Sequence, residues 1–325
     1  MSMTSEYQAA REQAALFDLS DRARIELRGK DAIRFLHNLC SNDIVNLPPG
    51  RGVEAFLATA KAKAIAYLFV CKARLDADES LWLSGDPGMA EAIYKHLDRY
   101  LISEQVEITD RSAESAQFHV AGPAVHAVLQ KALGEFTQPK ERPKGFIFCT
   151  LHNDLLGVPG YDILCAAPWA EEVKQCFLNG GAIPAGAGTY NVLRVEAGTP
   201  VHGQEIEDER FIVELDRGER AISYAKGCYL GQEPVVMARD RGHVNRHLRG
   251  VRLGAVGLLP KGTKLFRNDA EVGQITSAVE SPRFGPIALA YLRRGNDAPG
   301  TVVEAETASG RQSVEVTALP FGGAS

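Results

Sequence analysis

The segment Lys226-Gly227-Cys228-Tyr229-Leu230-Gly231-Gln232-Glu233 is the most informative stretch of this chain. It places a cation, a thiol, a phenol, an amide and a carboxylate within eight residues. Its two glycines indicate a backbone that turns tightly or approaches another group closely. Packing alone would not need so many polar groups together. We therefore interpret residues 226–233, called the signature segment below, as the functional centre.

Length and composition are those of an ordinary globular protein. The 325 residues exceed what one hydrophobic core usually serves, so we expect two or three compact units. The hydrophobic fraction of 45% and the charged fraction of 24% are typical of soluble proteins. The net charge of −5 argues against a dedicated nucleic-acid-binding protein, which is normally basic.

The sequence also indicates the cellular compartment of the protein. It contains no run of about 20 apolar residues that could span a bilayer, and its first 20 residues lack a secretory or transit pattern. The six cysteines are scattered, without the two-residue spacing of a zinc or redox motif. We therefore expect a reduced, cytoplasmic protein with free thiols and no membrane partner.

Apolar periodicity predicts an N-terminal α+β region. Residues 11–20 are predicted to form a short helix, and Arg24–Arg28 a strand. Asp31 is predicted to cap a helix whose apolar stripe includes Phe35 and Leu39. Antiparallel strands are predicted around a polar turn at 76–79. A further helix after Pro87 carries Met89, Ile93, Leu97 and Leu101 on one face.

The remainder divides into a linker, a second mixed region and a strand-rich end. Thr137–Gly145, rich in proline and lysine, is predicted to be a linker. Tyr190–Ala197 is predicted to be a short helix that ends at Gly198 and Pro200. From Leu248 onward, short strands alternate with turn signals, which predicts a small barrel or sandwich.

Cys228 and Lys226 are the candidate catalytic residues. Free cysteine is often a small interior residue, which is one interpretation of Cys228. The alternative is a reactive thiolate, favoured by Lys226 and the arginines that follow. No Cys/His pair has a recognisable catalytic spacing, so a protease-type nucleophile is not expected.

A basic run follows the signature segment and includes the candidate ligand-binding residues Arg239 and Arg246. Such a run is often a solvated face; alternatively, it binds a carboxylate tail, a phosphate or RNA. His243 and His247 lack the carboxylate spacing of a metal triad, and we predict no metal.

Glu196 and Tyr190 are candidate binding residues on the predicted helix 190–197. Glu196 has apolar neighbours in sequence; it either points to solvent or accepts N–H groups from a heterocycle. Tyr190, six residues earlier, could line the same side and stack on a ring. Lys61 and Lys63 either protect an exposed strand edge or line a groove for an anion.

The signature segment, read as Lys-Gly-Cys-Tyr-x-Gly-Gln-Glu, resembles the motif of the YgfZ family of folate-binding proteins, which is related to the glycine-cleavage T-protein, an aminomethyltransferase. Further segments along most of the chain share the resemblance. They are residues 29–36 with Asn42-Asp43, Arg194–Gly198, Gly273–Ser277 with Ser281-Pro282, and Leu319-Pro320-Phe321.

This resemblance implies an α+β fold with three domains in a T-protein-like clover-leaf around a central folate channel. The first domain would comprise residues 1–50 and 138–246, the second 51–137, and the third, an all-β barrel, 247–325. A reduced folate such as tetrahydrofolate is the implied cofactor. Glu196 would bind the pterin and Tyr190 would support it. Gln232, Arg239 and Arg246 are the further predicted folate-binding residues.

One departure distinguishes the two related families. T-proteins carry a carboxylate on the second-domain hairpin, whereas no Asp or Glu occurs between Glu54 and Asp76 here. Loss of a positioned acid or base typically costs about 10²–10⁴ in rate, so aminomethyl transfer is disfavoured. Some YgfZ proteins stack a tryptophan on folate, at one of two positions. Tyr190 stands near one such position, and Arg22 near the other.

The resemblance therefore implies a tetrahydrofolate-binding, YgfZ-like protein that supports iron–sulfur cluster assembly or repair, with a linked effect on tRNA modification. Its partners would be folate and iron–sulfur client or assembly proteins, with at most an indirect or weak link to tRNA. The sequence leaves open whether it catalyses a one-carbon transfer. The alternatives are an aminomethyltransferase and a non-enzymatic tRNA-binding module.

Overall fold

A computed structural model describes residues 2–48, 50–75, 78–136, 148–207, 209–242 and 244–323. The predicted linker at 137–145, part of the predicted turn at 76–79 and His243 lie outside these residues. The chain forms two compact units. The first comprises Met1–Leu57, Ile65–Tyr190 and Arg220–Leu230, and the second Ala58–Ala64, Asn191–Glu219 and Gly231–Ser325.

Eight α-helices occur in the described residues, with short 3₁₀ turns between some elements. The helices are α1 (Met3–Glu12), α2 (Ala32–Leu39), α3 (Ala90–Asp98), α4 (Val125–Phe136), α5 (Ala170–Asn179), α6 (Ala187–Ala197), α7 (Gly218–Ala221) and α8 (Gln232–Arg241).

Sixteen strands occur in the same part of the chain. They are β1 (Ala15–Asp18), β2 (Ala23–Arg28), β3 (Gly52–Ala58), β4 (Ala64–Leu75), β5 (Asp78–Gly85), β6 (Glu107–Asp110), β7 (Ser115–Ala121), β8 (Phe148–His152), β9 (Gly160–Ala166), β10 (Ile183–Ala185), β11 (Arg246–Arg252), β12 (Lys264–Arg267), β13 (Ala270–Ser281), β14 (Gly285–Arg293), β15 (Val302–Thr307) and β16 (Gly310–Thr317).

The first unit contains a five-stranded sheet in the order β10-β1-β7-β9-β8. Its strands pair antiparallel, except that β1 and β10 are parallel. Leu16 and Phe118 from the sheet pack with Val125 of α4 and Phe177 of α5 in one buried cluster. The prediction of a helix over 11–20 is wrong, because α1 ends at Glu12 and the apolar residues that follow form the buried strand β1.

The same unit contains a second five-stranded sheet, in the order β3-β4-β5-β2-β6. The predicted apolar stripe of α2 is buried against this sheet through Phe35, Leu36 and Leu39. Ile93 and Leu97 of α3 join the same core, as their four-residue spacing predicts. The helices thus cover one face of the sheet with the residues that sequence periodicity selects.

Strand pairing crosses two of the predicted domain boundaries. β2 precedes residue 50, yet it pairs with β5 and β6, which follow that residue. β7 precedes residue 137, yet it pairs with β1 and β9. The second sheet is therefore formed entirely by strands from residues 23–110. Such pairing between distant segments has no local signal in the sequence.

The second unit contains a closed barrel in the order β11-β14-β13-β12-β15-β16. Its interior is filled by alternate apolar residues, among them Val251, Leu265, Ile275 and Val303. The ladder between β13 and β14 shifts register between Ile275 and Ser277. The predicted fold class, an α+β protein with a C-terminal all-β barrel, is confirmed.

No helix among the described residues is long and apolar enough to cross a membrane.

Candidate functional site

Lys226 is anchored at the C-terminal end of α2. Its side-chain ammonium donates hydrogen bonds to the carbonyl oxygens of Cys40 at 2.8 Å and Asn42 at 2.7 Å, and to that of His37. The last carbonyls of a helix lack partners within the helix and carry partial negative charge. A buried ammonium therefore satisfies them, and Lys226 is only 8% exposed.

The surroundings of Lys226 favour a structural role over a catalytic one. Burial lowers the pKa of Lys226, while Cys40 and Asp43 act in the opposite direction. The ammonium also lies 4.9 Å from the ring centre of the buried Tyr229. An amine held by three carbonyls is poorly placed to exchange protons with a substrate. The placement therefore supports an anchor rather than the predicted catalytic group.

The rest of the segment Arg220–Leu230 is fastened to the same part of the chain. Ser41 exchanges two hydrogen bonds with it: its hydroxyl donates to the carbonyl of Ala221 at 2.6 Å, and its own carbonyl accepts the amide of Ser223 at 2.9 Å. The amide of Leu230 donates to the carbonyl of Asn38 at 2.9 Å. Through Lys226 and Asn42, two of the segments that carry the family resemblance are in direct contact.

Cys228 lies between these anchors and is exposed. All six cysteines are within the described residues, and none forms a disulfide there. Cys40, Cys71 and Cys165 are buried, whereas Cys149 and Cys176 are partly buried. The interpretation of Cys228 as a small interior residue is therefore wrong. It is the one exposed thiol among the six.

Gly231 and Gln232 begin helix α8. Gly231 has a φ of +84°, and a Cβ there would lie 2.6 Å from the carbonyl oxygen of Thr59. Position 231 therefore requires glycine for two reasons, its positive φ and the close approach of the Thr59 carbonyl, as the sequence indicates. Gln232, a predicted folate-binding residue, is the first residue of α8 and is partly buried.

The turn Ala58–Ala64, which carries Lys61 and Lys63, is paired along its backbone. The amide of Ala64 donates to the carbonyl of Arg210 at 2.7 Å, and the amide of Ile212 donates to the carbonyl of Ala62 at 3.0 Å. The ammonium of Lys63 donates to the carbonyl of Glu209 at 2.6 Å. Lys63 therefore does not protect an exposed strand edge. Lys61 is exposed.

Glu196 is buried on α6, so the interpretation that it points to solvent is wrong. It is 2% exposed, and its carboxylate accepts a 2.5 Å hydrogen bond from the hydroxyl of Ser281. The backbone carbonyl of Glu196 accepts the amide of Phe321 at 2.8 Å. The second unit thus brings together three segments that carry the family resemblance.

Arg194 and Glu205 form a buried ion pair that sequence reasoning missed. Their side chains are joined at 2.8 Å. Glu205 also accepts the hydroxyls of Thr276 at 2.8 Å and Ser277 at 2.6 Å, and Arg194 donates to Ser277 at 2.7 Å. The available signal was the pair of hydroxyl residues Thr276 and Ser277, which stand between the apolar Ile275 and Ala278 in β13.

Tyr190 and Arg22 lie in one polar and aromatic cluster of the first unit. The ring of Tyr190 packs edge-on against that of Phe17, with centroids 5.6 Å apart. Arg22 lies 3.2 Å from the carboxylate of Asp86. Burial lowers the pKa of Arg22, but Asp86, Tyr190 and Asp162 together raise it above its usual value. Arg22 and Tyr190, which stand near the two tryptophan positions of the resemblance, therefore interact electrostatically.

His119 adds a further buried group beside Tyr190, which the sequence did not indicate. Its Nδ1 lies 2.8 Å from the carboxylate of Asp162, which also accepts the amide of Asn153 at 2.6 Å. Its ring centre is 6.5 Å from that of Tyr190. Nε2 of His119 is buried without a hydrogen-bond partner in the described part of the chain.

The basic run is largely paired with acidic residues. Arg246 lies 3.5 Å from the carboxylate of Glu214, Arg249 contacts Asp216, and His247 lies 2.7 Å from Asp297. Arg239 donates to its neighbour Asp240 at 2.7 Å. This pairing neutralises much of the positive charge of the basic run.

Among the described residues, no group of three or more His, Cys, Asp or Glu side chains is placed to hold a metal ion.

Comparison with known families accounts for nearly the whole chain. Residues 1–220 match the GCVT N-terminal domain, and residues 246–322 match the glycine cleavage T-protein C-terminal barrel domain.

Similar proteins extend over the same length. A protein named aminomethyltransferase from Geobacillus kaustophilus (strain HTA426) is 28% identical over 98% of this chain and 90% of its own length. Another of that name from Bacillus subtilis (strain 168) is 26% identical over 98% and 91%. The crystal structure of the glycine cleavage system aminomethyltransferase T from Bartonella henselae shares the fold, with a TM-score of 0.86 at 22% identity, covering 98% of this chain and 89% of that one.

Proteins of this kind bind tetrahydrofolate, which is consistent with the reduced folate predicted as cofactor. With both domains matched along the chain, the protein belongs to the glycine cleavage T-protein family.

Proposed function

We propose that this chain is a reduced-folate-binding protein of the YgfZ type that supports iron–sulfur cluster assembly or repair, with a linked effect on tRNA modification. The observation that carries the proposal is the exposed thiol of Cys228 on a segment fastened at Lys226 and Leu230. The hairpin stretch from residue 55 to 75 contains no carboxylate, which supports a role other than aminomethyl transfer.

The chemistry of the candidate residues fits a pterin. Glu196 provides a buried carboxylate, and a buried carboxylate makes strong, charge-assisted hydrogen bonds with N–H donors. Tyr190 is partly exposed and offers an aromatic surface, and the planar guanidinium of Arg22 can stack on a ring. When bound, a reduced folate supplies the nitrogen that carries a one-carbon unit.

In this proposal each side chain has a separate task. Glu196 accepts N–H groups of the pterin, while Ser281 holds its carboxylate in place. Gln232, Arg239 and Arg246 remain proposed contacts of the rest of the folate; the side chain of Arg246 is 51% exposed. Cys228 acts on the client or partner protein rather than on the folate ring.

Titration of the purified protein with tetrahydrofolate tests the binding step. Replacing Glu196 with Gln removes the charge from a charge-assisted hydrogen bond worth about 1.5–3 kcal/mol, so affinity should fall about tenfold or more. Tyr190→Ala should also weaken binding. Glu171→Gln, at an exposed position of α5, is the matched control and should bind like the unaltered protein. Lack of binding by the unaltered protein at high micromolar folate would refute the proposal.

The role of the thiol is tested separately. Cys228→Ala should keep folate binding but fail to restore iron–sulfur enzyme activity in cells that lack the protein. Cys176→Ala, at a partly buried cysteine of α5, is the control and should complement fully. Full complementation by Cys228→Ala would show that the thiol is not required.

Aminomethyl transfer is the second candidate, because similar proteins bear the name aminomethyltransferase. An assay with lipoylated carrier protein and tetrahydrofolate separates the two functions. We expect turnover lower by about 10²–10⁴ than that of an enzyme with the hairpin carboxylate. Robust turnover would favour the aminomethyltransferase and overturn the proposal of a YgfZ-type protein.

A further inference from the structure

We infer that Lys226 is a positioning residue: its ammonium fills a three-carbonyl cage at the end of α2 and so holds Cys228 in place. The inference deepens the proposed function, since it concerns the same thiol. It differs from the catalytic role that the sequence suggests for Lys226.

The cage is built from one short stretch, the last turn of α2 and the residues that follow it. Two of its oxygens, from Cys40 and Asn42, lie 2.8 and 2.7 Å from the ammonium, and the third belongs to His37. These oxygens are separated from Lys226 by more than 180 positions in sequence. The contact therefore fixes the signature segment against the remote C-terminal end of α2.

A second anchor lies on the other side of the thiol. The amide of Leu230 donates to the carbonyl of Asn38 at 2.9 Å, and Tyr229 is buried. Only Gly227 and Cys228 are exposed between the two anchors. Because a residue spans at most about 3.6 Å, Cys228 cannot move far while both anchors hold.

The shape of the cage selects lysine. An ammonium is a compact point charge with three donors, which matches three converging carbonyl oxygens. A guanidinium is planar and presents its donors as a rigid fork, so arginine cannot satisfy the same set. A small primary ammonium ion in solution, in contrast, has the donors needed to replace a missing side chain.

The test measures the mobility of Cys228 directly. A nitroxide label is attached to Cys228 after Cys149 and Cys176 are replaced with Ser, and its spectrum is recorded for the otherwise unaltered chain and for Lys226→Ala. We expect the label to move several-fold faster in Lys226→Ala, at temperatures where the protein stays folded. Lys131→Ala, at an exposed lysine of α4, is the control and should leave the spectrum unchanged.

Chemical rescue tests the cage itself. Methylammonium should restore the slow spectrum in Lys226→Ala, whereas tetramethylammonium, which has the same charge but no N–H donor, should not. Lys226→Arg should resemble Lys226→Ala. Unchanged mobility in Lys226→Ala, or equal effects of the two ions, would overturn the inference.

A measurement on the unaltered protein covers the case in which Lys226→Ala does not fold. Reductive methylation should modify Lys226 about tenfold or more slowly than Lys131, because reaction requires local opening. Equal rates would overturn the inference. None of these readouts involves folate, so a failure of the proposed folate binding would leave them unaffected.

Discussion

The hydroxyl of Ser281 donates a 2.5 Å hydrogen bond to the carboxylate of Glu196, and both residues are buried. The same hydroxyl accepts the backbone amides of Arg283 and Phe284. We expect Ser281→Ala to lower the free energy of unfolding by about 1–3 kcal/mol, because it removes three hydrogen bonds, one of them to a buried carboxylate. Urea denaturation measures this loss.

Folate titration of the same variant tests whether Ser281 orients Glu196. A weaker affinity for tetrahydrofolate is expected, at a temperature where the variant remains folded. Ser309→Ala, at an exposed turn of the barrel, is the control and should change neither property. Normal affinity in Ser281→Ala would show that Glu196 does not depend on this bond.

Breaking the buried ion pair of Arg194 and Glu205 should cause a large loss of stability. Arg194→Met should lower the free energy of unfolding by about 3–5 kcal/mol, since it leaves a buried carboxylate without its cation. The double variant with Glu205→Met should be less destabilised than the sum of the single changes, because it removes both charges. Urea denaturation of the unaltered protein, the two single variants and the double variant measures the coupling, and additive losses would contradict it.

Sequence reasoning succeeded where the signal is local. The stripe of Phe35, Leu36 and Leu39 predicted α2. The turn signals after Leu248 predicted a small barrel or sandwich, and the structure there is a closed barrel. It failed at residues 11–20, because the apolar residues of β1 are buried by partners in β7 and β10 that no local pattern reveals. Tertiary pairing there decides the secondary structure.

The candidate site shows the same limit. The signature segment marked Lys226 as important, but only the fold supplies the carbonyls of residues 37, 40 and 42 that make it an anchor. Likewise, Glu196 could not be assigned to solvent or interior, since its partner Ser281 lies 85 residues away. Residue type indicates what a group can do, whereas distant contacts decide whether it is accessible.

The two glycines of the signature segment should differ sharply in their tolerance of a side chain. Gly231→Ala would force an alanine into the left-handed backbone conformation, which costs about 1–2 kcal/mol. The new Cβ would also clash with the carbonyl oxygen of Thr59. We expect a loss of more than about 2 kcal/mol in unfolding free energy. A Cβ on Gly227 would meet no atom within 4 Å, so Gly227→Ala should stay within about 0.5 kcal/mol of the unaltered protein. Equal losses in the two variants would contradict this assignment.

The low pKa of His96 should make the folded protein less stable at acid pH. Burial, with a smaller effect of Arg99, lowers the pKa of His96 to about 4 in the folded protein, and its Nε2 has no hydrogen-bond partner among the described residues. The unfolded chain binds this proton below about pH 6.5, but the folded chain binds it only below about pH 4. The free energy of unfolding should therefore fall as the pH drops from 6.5 towards 4, and this contribution should level off below that.

The size of the effect follows from the pKa difference. One pKa unit corresponds to about 1.4 kcal/mol, and because the ring is partly exposed we expect His96 to contribute a loss of about 1–3 kcal/mol. Denaturation curves for the unaltered protein and His96→Phe, which keeps a ring against Tyr100, isolate this contribution from that of the carboxylates. The variant should lose less stability between pH 6.5 and 4. Parallel losses in the two proteins would show that His96 takes up its proton equally in the folded and unfolded states.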